Sequence, residues 1–131
     1  MTKYELLIQE ISKATDEGLT LGEAERAAAL ALGAMVELSE QLKASDKSRR
    51  LQKSGLKAVK AAIRLTEANK GIKKPTEGIL DDLVSTNEVY KKAEDAYDES
   101  EVAQADLDRQ FDICRESHLY FRGVSRGGSN G

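Results

Sequence analysis

The chain lacks tryptophan altogether and has two phenylalanines, four tyrosines, one proline and one cysteine in 131 residues. Few aromatics and an alanine- and leucine-rich composition leave little material for a sheet sandwich, and a single proline leaves long stretches free to be helical. One cysteine, Cys114, cannot form an internal disulfide, which agrees with a reducing compartment. No run approaches the roughly 18–20 uninterrupted apolar residues of a membrane span, and Met1-Thr2-Lys3-Tyr4-Glu5 lacks a signal peptide's basic end and apolar run. The expectation is a soluble cytoplasmic protein with no membrane partner. Phosphate-loop and dinucleotide glycine patterns are missing too, so nothing suggests nucleotide hydrolysis.

What is present is helix periodicity and sorted charge. Tyr4, Leu7, Ile8, Ile11 and Ala14 predict a first amphipathic helix over about 2–17, ended by Gly18. Thr20 with Glu23 has the capping-box spacing and opens a long helix over about 20–69, with a stop signal at Asn69-Lys70-Gly71. Unbroken, that helix reaches roughly 70 Å. Its apolar stripe, Ala24 through Leu42 and then Leu56, Val59 and Ile63, is interrupted at Ser45, Arg49 and Gln52. The interruption implies a bend or a section projecting beyond the core, with Gly55 a candidate kink. The alanines of residues 24–34 fit helix propensity or close helix approach about equally, and Gly33 tilts toward approach because glycine costs about 1 kcal/mol against alanine mid-helix.

Lys73-Lys74-Pro75-Thr76 reads as a turn and restart, giving a short helix over about 76–85. A last helix over about 87–121 follows a near-heptad pattern through Val89, Ala93, Ala103, Leu107, Phe111, Cys114, His118 and Phe121, with Ser100 its weak point. Residues 123–131 read as a flexible tail. The fold class expected is all-α: one helical domain over 1–122, a long antiparallel helical hairpin with short additional helices, assembling into an oligomer. Assembly is expected because Ala24 to Leu42 offers more apolar stripe than one short first helix can cover.

The charge is concentrated. Lys43 to Lys74 holds eleven cations and two carboxylates, a net charge of +9, between acidic flanks of −5 and −7. Lys43, Lys47, Arg50, Lys53, Lys57, Lys60 and Arg64 recur at three- and four-residue intervals, so a helix gathers them on one side, with Arg49 beside them. Such a row tracks a phosphate backbone, and its affinity falls steeply with salt. Nearby aromatics are few, so neither base stacking nor sequence-specific readout is expected. The opposing expectation is a solvated face whose cations pair with the acidic last helix, which carries Glu94, Asp95, Asp98, Glu99, Glu101, Asp106, Asp108 and Asp112. Cys114 and His118 share a helix face, but two ligands without a second pair do not make a metal site, and they lack the orienting group and oxyanion pocket of a nucleophile pair. No cofactor, metal or catalysis is expected.

In this order and pattern, residues 20–125 resemble the recombination mediators of T4-like phages, the UvsY family. The resemblance is carried by a small N-terminal helix, Leu38 and Leu42 followed by Lys57, Lys60 and Arg64, and the break at Gly71. It continues through the Lys74-Pro75-Thr76-Glu77 restart to Asp112-Ile113-Cys114 and then Arg122-Gly123. It implies a non-enzymatic, ring-like oligomer that binds single-stranded DNA, helps displace the single-strand-binding protein and loads a recombinase. Lys57, Lys60 and Arg64 would be the DNA contacts by resemblance; Lys43, Lys47, Arg49, Arg50 and Lys53 join them by charge. The competing expectation is a helical phage structural, scaffolding or chaperone-like module that binds protein through its Ala-rich or heptad stripe.

Overall fold

A computed structural model describes residues 1–71 and 75–127 of the chain. Among them it contains four α-helices and no strand: α1 (Lys3–Glu17), α2 (Leu21–Ala68), α3 (Glu77–Thr86) and α4 (Glu88–Gly127). The long pair, α2 and α4, packs side by side as a helical hairpin. Each boundary has a local cause. The Thr2 hydroxyl accepts from the Glu5 N–H at the start of α1, and Gly18, at φ +78°, donates its N–H to the Ala14 carbonyl at the end. That left-handed conformation is one that a Cβ disfavours. Thr20 accepts from the Glu23 N–H at 3.2 Å and donates its hydroxyl to the Glu23 carboxylate at 3.0 Å. Thr76 caps α3, and the Asn87 side chain accepts from the N–H groups of both Val89 and Tyr90 to start α4.

The chain's contacts group into two compact units where the sequence suggests one domain: Met1–Lys43 with the residues from Ala105 onward, and Ala44–Gln104. The first unit has the denser core. Leu7 of α1, Ala27, Ala28, Ala31, Ala34 and Leu38 of α2, and Cys114 and Phe121 of α4 form its buried cluster. Tyr4, Ile11, Met35, Leu107 and Phe111 pack around them. The alanines are therefore where three helices come close, which decides between propensity and approach in favour of approach. At Gly33 an added Cβ would lie 3.0 Å from Cδ of Lys3, so the lysine stem crosses α2 there.

That packing also corrects one expectation. The stripe from Ala24 to Leu38 is covered within the chain by α1 and α4, so it gives no reason for assembly. A second difference concerns the end of the chain. Helix α4 continues beyond Phe121 through Gly127, so residues 123–127 are helical and not a tail. Gly123 costs some helix propensity there, but one glycine does not stop a helix already anchored by Phe121, which is 2% exposed. The expected turn at Lys73-Lys74 and the last residues of the expected tail lie outside the described residues.

The second unit is organised differently. Its buried side chains among the described residues are Leu80 and Val84, both from α3. The polar break in the stripe is a seam: Arg49 donates from Nε to the Gln104 amide oxygen at 2.8 Å and from a terminal nitrogen to Asp46 at 3.1 Å. Helix α2 runs through this seam and through Gly55 without interruption. Ser100, the weak point of the α4 pattern, turns its hydroxyl back onto the Tyr97 carbonyl at 2.6 Å.

Candidate nucleic-acid interface

Lys43 closes the first unit and pairs with Glu40 at 3.6 Å, both side chains well exposed. The other seven cations singled out from the sequence belong to the second unit and to one helix. At roughly 100° per residue, Lys47, Arg49, Arg50, Lys53, Lys57, Lys60 and Arg64 all fall within one half of the α2 circumference, together with Asp46 and Glu67. Over residues 44–68 the other half carries no charge at all. The sorting seen along the sequence is thus repeated around the helix.

Within the charged half the residues separate into two kinds. Arg49 and Arg64 are half-buried and engaged. Arg64 reaches Glu77 and Asp81, tying α3 to α2; the Glu77 hydrogen bond is the main cause that raises its pKa. Arg49 is raised first by Asp46 and next by Tyr97. Asp46 accepts from Arg49 and Arg50 and is held below its ordinary value, chiefly by the Arg49 hydrogen bond. Apart from Asp46, three residues before Arg49 on α2, these arginines have architectural partners that the spacing did not disclose, because they come from α3 and α4. The signal available was the polar stripe at Ser45, Arg49 and Gln52, which marks a buried-side position occupied by a charge.

The second kind is free. Lys47, Lys53, Lys57 and Lys60 are exposed and make no ion pair among the described residues. Arg50 is exposed beside them and shares Asp46. Among the described residues Glu94, Asp95, Asp98, Glu99 and Glu101 of α4, which share the second unit with the row, form no ion pair with it. Lys47 to Lys60 spans about 20 Å of helix, with uncompensated charge along it.

Other chemistry is sparse. Cys114 is fully buried, and burial pushes its thiol pKa up, away from the reactive thiolate. His118 donates from Nδ1 to the Ala28 carbonyl at 3.0 Å, since a carbonyl can only accept. No group of three His, Cys, Asp or Glu is gathered as metal ligands among the described residues. A groove of about 360 Å³ in the first unit is lined by Ile11, Ala14, Thr15, Glu116, Ser117, Tyr120 and Phe121. Its threonine hydroxyl donates to the Ile11 carbonyl at 2.9 Å, and its lining is otherwise mostly apolar and aromatic beside Glu116 and Ser117. Among the described residues no helix is long and apolar enough to cross a membrane. No protein-family model, curated protein or solved structure matches the chain.

Proposed function

We propose that the protein is a non-enzymatic single-stranded DNA-binding recombination mediator, which self-associates and helps load a recombinase onto strands held by a single-strand-binding protein. The observation that supports this most is the set of four exposed lysines, Lys47, Lys53, Lys57 and Lys60, on one side of α2 and without carboxylate partners among the described residues. Exposed, unpaired cations in a row hold condensed phosphate charge, and binding releases the counterions of the nucleic acid. Without aromatic platforms the affinity is moderate and indifferent to sequence, which suits a protein that hands a strand on. Several copies holding one strand then gain avidity through effective concentration. The recombinase and the single-strand-binding protein enter through the resemblance to the UvsY family. Lys43, Arg49, Arg50 and Arg64 serve as supporting charges, two of them through their structural ties.

The test is the salt dependence of binding to a single-stranded oligonucleotide. Four phosphate contacts give a slope of log K against log salt of about −3, and Lys57→Ala or Lys60→Ala each lessens it by about 0.7. No binding at low salt, or a slope that these substitutions leave unchanged, sinks the proposal. A second reading, a scaffolding or chaperone-like interaction module, is favoured by the uncharged strip of α2 through Leu51, Ala58, Ala62 and Leu65, which the chain leaves exposed.

A further inference from the structure

Ser48, Leu51, Gly55, Ala58, Ala62 and Leu65 are all exposed, and they recur on α2 at intervals of three, four, three, four and three. The two leucines are 64% and 66% exposed. This is the spacing of a coiled-coil seam. No charged residue interrupts it, although a third of the chain is charged. The chain's own packing does not account for it. Among the described residues nothing lies within 4 Å of a Cβ added at Gly55, so a mid-helix glycine that costs about 1 kcal/mol against alanine serves no contact among them. Nor does α2 or α4 contribute a buried side chain among the described residues of this unit.

The pattern of sizes selects the occupant. Ser48, Gly55 and Ala62 form a line of small residues; Leu51, Ala58 and Leu65 form a parallel line with leucines at its ends. When two such helices pair antiparallel, the small line of one meets the large line of the other, and large side chains enter the gaps left by small ones. Centred between Gly55 and Ala58, Leu51 then lies opposite the partner's Ala62 and Leu65 opposite the partner's Ser48. Parallel pairing instead stacks leucine on leucine and glycine on glycine. Charge agrees. The positions that border the seam are Lys47, Ser54, Ala61 and Ala68 on one edge and Gln52, Val59 and Thr66 on the other. One cation per helix at these edges is too little for an acidic partner helix to recognise, and between two copies it adds only a repulsion that salt can screen.

We infer that two copies of this chain pair antiparallel through the Ser48–Leu65 stripe of α2. An antiparallel two-fold keeps each edge beside its counterpart, so Lys47, Arg50 and Lys57 of both copies lie along the same side and form one wider cationic face. This gives the self-association in the proposed function a surface, and rests on that part of the reading alone.

Sedimentation equilibrium of the full chain tests it. A dimer is expected, and it tightens as salt rises, because screening relieves the repulsion between the joined cationic rows. The double substitution Leu51→Glu with Leu65→Glu weakens the dimer at least about 100-fold, with helical circular dichroism retained because both side chains are exposed. Cysteine variants read the register: Leu51→Cys mixed with Ala62→Cys cross-links into a heterodimer, neither cross-links alone, and buried Cys114 stays silent. A monomer at every concentration overturns the inference, as does a dimer indifferent to the two glutamates. So does a dimer that salt dissociates, which would mean that cations of one copy meet carboxylates of the other, and so does homotypic cross-linking at residue 51. Oligonucleotide binding is measured separately on the same samples, so the dimer can stand where DNA binding fails, and the reverse.

Discussion

Replacing Ala31 by leucine separates two explanations of the alanine-rich stretch of α2. Ala31 is 0% exposed, inside the cluster where α1, α2 and α4 meet. Leucine is nearly as good a helix former as alanine, so propensity alone expects a change of a few tenths of a kcal/mol. Three added carbons between packed helices, however, force off-rotamer side chains or backbone shifts worth about 1–3 kcal/mol. Ala29, two positions away and exposed, is the control: Ala29→Leu is expected to stay within about 0.5 kcal/mol.

The assay should report on the first unit alone, since two compact units need not unfold together. Cys114 provides it, as its thiol is fully buried in the same cluster and reacts when that unit opens. If opening and closing are fast relative to labelling, 1–3 kcal/mol raises the labelling rate of Ala31→Leu by roughly 5- to 150-fold over the parent, and Ala29→Leu stays near it. Equal rates for the two variants would refute close helix approach as the reason for the alanines.

Asn87→Ala removes the acceptor for two N–H groups at the start of α4, and should lower stability by about 1 kcal/mol, read as a shift in the denaturant midpoint with unchanged slope. Asp46 should titrate below its ordinary 3.8, chiefly through its Arg49 hydrogen bond. A depressed carboxylate stabilises the fold fully above its ordinary value and loses that contribution as pH falls through the lower folded one. Carboxyl NMR that finds Asp46 titrating at or above 3.8 would remove the Arg49–Asp46–Gln104 seam. The Cys114 thiol, raised by burial, has the opposite dependence. The folded chain keeps its proton, so stability should decline as pH rises past the ordinary 9.0, and Cys114→Ser should lessen that decline.

The elements that were legible from sequence are those fixed locally. Thr20 with Glu23, Gly18 and the three- and four-residue spacings around Leu7 and Leu38 put helix ends within a residue or two of where they fall, because capping and periodicity act over one turn. The boundary at 123 failed for a related reason: a stretch rich in glycine and arginine resembles a tail, while the packing of Phe121 just before it carries the helix on to Gly127. Charge sorting was legible for the free lysines and not for the arginines. Spacing gives the side of a helix and is silent about what another helix brings to it, so Arg64 looked like Lys60 until Glu77 and Asp81 of α3 were placed beside it.

The contrast between the two units has a dynamic consequence. In the first, six side chains of α2 between Ala24 and Leu38 are buried; in the second, among the described residues, α2 has no buried side chain. Backbone hydrogen bonds open more readily where little apolar surface must be re-exposed, so amides over residues 47–62 should exchange faster than those over 27–38, although both belong to the same helix. If the antiparallel pair forms, concentration selectively slows exchange over 48–65, since pairing covers that segment and leaves 27–38 untouched. Uniform protection along α2 at low concentration would mean that the half-exposed segment is stabilised by something other than burial, and the reasoning that assigns it a partner would lose its physical basis.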